Sequence, residues 1–160
     1  MYCNKEDQMG RHIERTTVRK IIVGLIAAVA FSAKLGPCLA AGALAAGVPD
    51  DVSQQGLSLY TEVNSPNSAR AQSLAVAGCK SIGSPTSKSL CKVVATFSNQ
   101  CAAEAIDPKD GTPGFGWAIA DNSTDAKNQA LANCRATAGP TRQDACVVGD
   151  KGLWCDGSAK

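Results

Sequence analysis

The residues with the most chemistry to offer are six cysteines in two sets. Cys79, Cys91 and Cys101 form the first and Cys134, Cys146 and Cys155 the second, with twelve residues from first member to second in both. Thiolates bind metal, attack electrophiles or join as disulfides. No C-x-x-C occurs and the only histidine is His12, so the usual zinc-ligand spacings are missing and no metal site is expected. An even set of cysteines in a short chain behind an export leader reads instead as three disulfides. Six cysteines allow 15 pairings. The repeated spacing favours Cys79 with Cys91 and Cys134 with Cys146, leaving Cys101 for Cys155.

Catalysis finds little to work with. Without a histidine beyond the leader, Ser-His and Cys-His nucleophiles and imidazole acid-base chemistry are unavailable. Carboxylates remain, among them Glu62, Glu104, Asp107, Asp110, Asp121 and Asp125. A glycosidase needs two of them roughly 5 to 10 Å apart across a cleft, and their spacing marks no such pair. Asp107 and Asp110 suit the turn DPKDGTPG, Asp121 and Asp125 a helix N-terminus, and Glu62 an exposed strand position. Gly111 to Gly116 has neither the Walker nor the dinucleotide spacing and leads into a strand. Asn122-Ser123-Thr124 is formally a glycosylation sequon, and a helix cap accounts for it. The expectation is therefore no catalytic residue, no cofactor and no enzyme.

The aromatic residues Tyr60, Phe97, Phe115, Trp117 and Trp154 all fall on strands or strand edges. A small domain puts most of its large side chains inside. Those left outside would mark a contact surface for a protein or glycan, and Phe115, Trp117 and Trp154 are the candidates.

The elements that position these residues are written twice. AQSLAVAGCK from Ala71 and AKNQALANCR from Ala126 place Ala, Ala and Cys four residues apart at an offset of 55, so each forms one helix face. Each helix is followed by a cysteine with a Val-Val pair (CKVV, CVV) and then a further cysteine. Leu57–Val63 reads as a strand, Ser65-Pro66 as a cap and helix start, and Pro66–Lys80 as a helix. CKVVATF and CAAEAI read as strands joined by a tight turn near Ser98-Asn99. FGWAIA, a helix over 124–138 and strands near 145–149 and 153–156 complete the second copy. This predicts one α+β domain over 57–157, built from strand-helix-strand-strand repeats at 57–106 and 115–156. Its sheet is mainly antiparallel and carries two Ala-faced helices. The core is mostly alanine, which makes the bridges matter: each adds roughly 2 to 4 kcal/mol.

Upstream, Arg15, Arg19 and Lys20 lead into the apolar run IIVGLIAAVAFSA, the layout of a secretory signal peptide. Met9 is an alternative start. Ala43-Leu44-Ala45 offers an A-x-A site, giving a signal peptide over 1–45 and a polar linker over 46–56. The alternative is an uncleaved anchor over Ile21–Val48, the only route to a membrane. Removing 1–45 takes six of the 16 basic and three of the 14 acidic side chains. Ten and eleven remain, a net charge of −1 that excludes nucleic acid as the expected partner.

The segments GFGWAIADNSTDAKNQALANCR and CKVVATFSNQCAAEAI carry a resemblance over about residues 57–156. The chain is similar to an exported bacterial family catalogued as domain of unknown function 4189. Tyr60 stands where a Trp is expected, and CVVGDKGLWC is a shortened strand. The resemblance implies this fold and a secreted or periplasmic address, and carries over no catalytic residue. Together these readings describe an exported, disulfide-stabilised, non-catalytic binding module, the alternative being a small carboxylate-dependent hydrolase of the cell envelope.

Overall fold

The computed structural model describes residues 40–160. The expected signal peptide lies outside the described residues except for its end, and that end corrects the expected boundary. Ala41–Gly47 (AGALAAG) is not leader but strand β1, every residue of it buried. It is the centre of a three-stranded sheet, antiparallel to β2 (Ser58–Ser65) on one side and β3 (Lys92–Phe97) on the other. A cut after Ala45 would remove most of this strand. The stretch 46–56 is likewise no free linker: it ends β1 and contains the short helix α1 (Val52–Gln55), capped by the Asp51 carboxylate. Alanine and glycine are poor strand formers, yet a strand covered on both faces has room for little else.

The second sheet repeats the plan, with β4 (Cys101–Ile106) between β5 (Phe115–Ala120) and β6 (Leu153–Cys155), again antiparallel. The repeat is therefore strand-strand-helix-strand, β1-β2-α2-β3 and then β4-β5-α4-β6. This corrects the expected units by one strand, because CAAEAI opens the second unit rather than closing the first. The turn at Ser98-Asn99 is present, with Asn99 in the left-handed region at φ 52°. It carries the chain from one sheet to the other instead of closing a hairpin. The class is as expected, a small disulfide-bonded α+β domain, with two sheets in place of one. The strand expected near 145–149 reduces to one bridge between Ile106 and Val147.

Each sheet carries one long helix. α2 (Ser68–Ser81) starts two residues later than expected because Asn67, not Ser65, caps it, accepting from Arg70 N–H at 2.9 Å. α4 (Ser123–Thr137) is capped by Asn122 in the same way. A second short helix, α3 (Pro85–Ser89), precedes β3. Ala71, Ala75 and Cys79 on α2, and Ala126, Ala130 and Cys134 on α4, are the buried face, set by residues four apart stacking. Such small side chains let the helix backbone touch the sheet. A Cβ on Gly116 would lie 2.3 Å from the Cys134 nitrogen, so that position requires glycine.

The sheet faces turned away from the helices meet. Leu44 and Ala46 on the first and Ala102 on the second are 0%, 2% and 0% exposed. Thr61 of the first donates its hydroxyl to the Glu104 carboxylate of the second at 2.8 Å. The layers thus run helix, sheet, sheet, helix. At one rim the fully buried Asp156 ties the units together. Its carboxylate accepts N–H groups from Asn64 (2.7 Å) and Asn99 (3.2 Å), both with positive φ, and the Asn64 side chain accepts from Gly157 N–H.

All six described cysteines are paired: Cys79 with Cys91, Cys134 with Cys146, and Cys101 with Cys155. The first two join a helix end to the segment that follows it. The third links directly opposed residues of β4 and β6.

Candidate functional site

The aromatic candidates do not form one cluster. In β5 the residues alternate: Gly116, Ala118 and Ala120 are buried against α4, and Phe115, Trp117 and Ile119 on the other side are half-buried. Trp154 lies opposite Ala102 on β6, so it shares the face of Phe115 and Trp117 but sits on the far edge strand. The sheet order β5-β4-β6 leaves one edge of β5 without a strand neighbour.

Along that edge, where β5 meets α4, runs a groove of about 440 Å³ lined by Phe115, Trp117, Ile119, Gln129, Asn133 and Thr137, among others. Edge strands present unpaired backbone groups that invite further strands. Here α4 answers several of them. Thr137 Oγ1 accepts the Phe115 N–H at 2.9 Å and lies 2.7 Å from the Phe115 carbonyl, and Asn133 Nδ2 donates to the Trp117 carbonyl at 2.8 Å. Thr137, Asn133 and Gln129 are spaced four apart on α4, so one stripe of the helix overlooks the strand. The residues lining the groove are uncharged. Sequence reading missed this stripe, because exposed polar positions on a helix carry no periodic mark of what they face.

A second depression, about 620 Å³, lies between α4 and the loop after Cys146, with Lys127, Leu131, Val147, Val148, Asp150 and Leu153 around it. It occupies the place where the second unit lacks the full third strand of the first.

The six candidate carboxylates are accounted for one by one. Burial raises the pKa of Glu104, and the hydrogen bond from Thr61 opposes that shift. Asp107, also buried, is gripped by the Arg142 guanidinium through two hydrogen bonds, which holds its carboxyl well below the usual range and raises the pKa of Arg142. Arg142 is 35 residues from Asp107, and no local pattern links them. Asp121 accepts from Gln100 at 2.9 Å, Asp125 from Asn122 at 2.7 Å, and Glu62, half-buried rather than exposed, from Ser65 at 3.1 Å. Asp110 is exposed on its turn. Among the described residues no group of three or more His, Cys, Asp or Glu is placed to hold a metal ion, and no helix is long and apolar enough to cross a membrane.

No curated protein and no solved structure matches this chain. A family does match, over residues 41–151, a span that opens with β1 and covers all four α-helices and five of the six strands. With well over half of its length matched, the chain belongs to the family described as Domain of unknown function (DUF4189).

Proposed function

We propose that this domain is a non-catalytic binding module that works outside the cytoplasm and makes contact through the β5–α4 groove. One observation carries the reading: Phe115 and Trp117 line an uncharged groove at an otherwise open sheet edge. Half-buried aromatic rings are the usual anchors of recognition surfaces. Three disulfides around an alanine-rich core suit an oxidising compartment, and the basic-then-apolar leader supplies the route there. The carboxylates support the same reading, since Glu104, Asp107 and Asp156 each serve a structural contact.

The test compares substitutions in cells lacking the native gene copy. Glu62→Gln, Glu104→Gln and Asp121→Asn should leave the phenotype within a few-fold of wild type, because no proton transfer worth 100-fold or more depends on them. Trp117→Ala should lose more than about 1 kcal/mol of partner affinity. One carboxylate substitution that abolishes activity while leaving Tm unchanged would overturn the module and favour the envelope hydrolase.

A further inference from the structure

We propose that the β5–α4 groove takes an uncharged glycan. The inference rests on reading that groove as the contact surface and goes on to name its ligand class.

Charge is the first discriminator. No Asp, Glu, Lys or Arg is among the lining residues, so nothing there repays the desolvation of an ionised ligand. The polar groups offered are carboxamides. Among the described residues the Gln129 side chain makes no hydrogen bond, and Asn133 uses only its Nδ2, on the Trp117 carbonyl, leaving its oxygen free. Gln129 and Asn133 are both exposed. A carboxamide donates and accepts at once, which matches a sugar hydroxyl. Phe115 and Trp117 add apolar surface suited to the C–H face of a pyranose ring. A volume of about 440 Å³ lies in the range of small-ligand sites.

The competing occupant of a sheet edge is an extended peptide, which binds by adding main-chain hydrogen bonds. On β5 the N–H and carbonyl of Phe115 and the carbonyl of Trp117 already meet Thr137 and Asn133. A fourth strand would have to displace those side chains from the Phe115–Trp117 stretch, which favours side-chain recognition over strand addition there. The repeat shows that the groove is particular to the second unit. At the position 55 residues before Asn133 the first helix has Gly78, and the Tyr60 ring lies so close there that a Cβ would come within 2.5 Å of it. Tyr60 fills in the first unit what the second leaves as a groove.

The full oxidised chain, isotopically labelled, is titrated with cellotetraose, maltotetraose and tetra-N-acetylchitotetraose, and separately with tetragalacturonate and an alternating Val-Thr hexapeptide. At least one neutral oligosaccharide should shift the Gln129 side-chain amide and the Trp117 indole saturably, without moving the Trp154 indole. Gln129→Ala should weaken that binding roughly twofold to tenfold, the loss of one neutral hydrogen bond, at unchanged Tm. Three results overturn the proposal: no neutral oligosaccharide moves these signals, the galacturonate binds more tightly, or the hexapeptide shifts the 115–119 amides. Silent oligosaccharides together with a functional loss in Trp117→Ala would remove the glycan and leave the contact surface. Failure of both experiments would remove both readings.

Discussion

Starting the chain at Ala46 should abolish folding, whereas starting it at Ala40 should not. The shorter chain lacks Ala41 to Ala45, five residues of a strand whose side chains are 0 to 8% exposed where they are not glycine. Burying Leu44 is worth about 1.5 to 3 kcal/mol and each alanine methyl about 0.8, so the apolar loss alone is about 4 to 5 kcal/mol. The loss does not stop there. β1 is hydrogen-bonded on both edges, to β2 and to β3, and deleting it orphans backbone groups on two strands, each costing about 1 to 3 kcal/mol if it stays buried. A domain of this size has roughly 5 to 15 kcal/mol of stability in total. The assay is oxidative refolding of both chains, followed by circular dichroism and thermal melting. The Ala40 chain should melt cooperatively and the Ala46 chain should show no transition. A cooperative melt of the Ala46 chain within a few degrees of the longer one would refute the reasoning and restore Ala45 as a tenable cleavage site.

Glu104→Gln should raise the unfolding midpoint at pH 7 and leave it unchanged near pH 3. Burial raises the folded-state pKa of Glu104, so its contribution is complete below the ordinary carboxylate value and is lost as pH rises toward the folded value. Thermal melts across pH test the sign, and a destabilised Gln variant at pH 7 would contradict it. Asp107 works in the opposite direction: Arg142 depresses its pKa, giving stability that is present above the ordinary carboxylate value and lost as pH falls. Arg142→Ala should therefore lower the midpoint at pH 7 by more than at pH 3, and Arg142→Lys should not restore it, since a lysine cannot make the two-pronged contact. Replacing Cys101 and Cys155 together by alanine should cost about 4 kcal/mol and replacing Cys134 and Cys146 about 3, from loop separations of 54 and 12 residues. Urea titrations under oxidising conditions would show it, and a smaller cost for the longer loop would count against the entropic account.

Much of the fold was legible from sequence where the information is local or repeated. The helix faces Ala71-Ala75-Cys79 and Ala126-Ala130-Cys134 follow from four-residue stacking, and their duplication carries the pairings Cys79–Cys91 and Cys134–Cys146. Cys101 and Cys155 were then the remaining pair. The strands FGWAIA and CKVVATF announce themselves through β-branched and aromatic residues. β1 did not, because AGALAAG has the composition of a leader's small-residue tail, and only its confinement between a helix layer and a second sheet explains why alanine suits it there.

The groove was half legible. Phe115 and Trp117 could be named as candidates, while Gln129, Asn133 and Thr137 could not, since their role depends on which strand edge α4 overlooks. By itself the sequence determined the repeat, the helix faces and the cysteine framework, each a matter of periodicity along the chain. Only the tertiary structure decided that CAAEAI belongs to the second sheet, that Asp156 reaches Asn64 and Asn99, that Asp107 meets Arg142, and that Trp154 stands apart from Trp117. Those contacts span tens of residues, and they exist because two sheets pack back to back around side chains too small to specify their own neighbours.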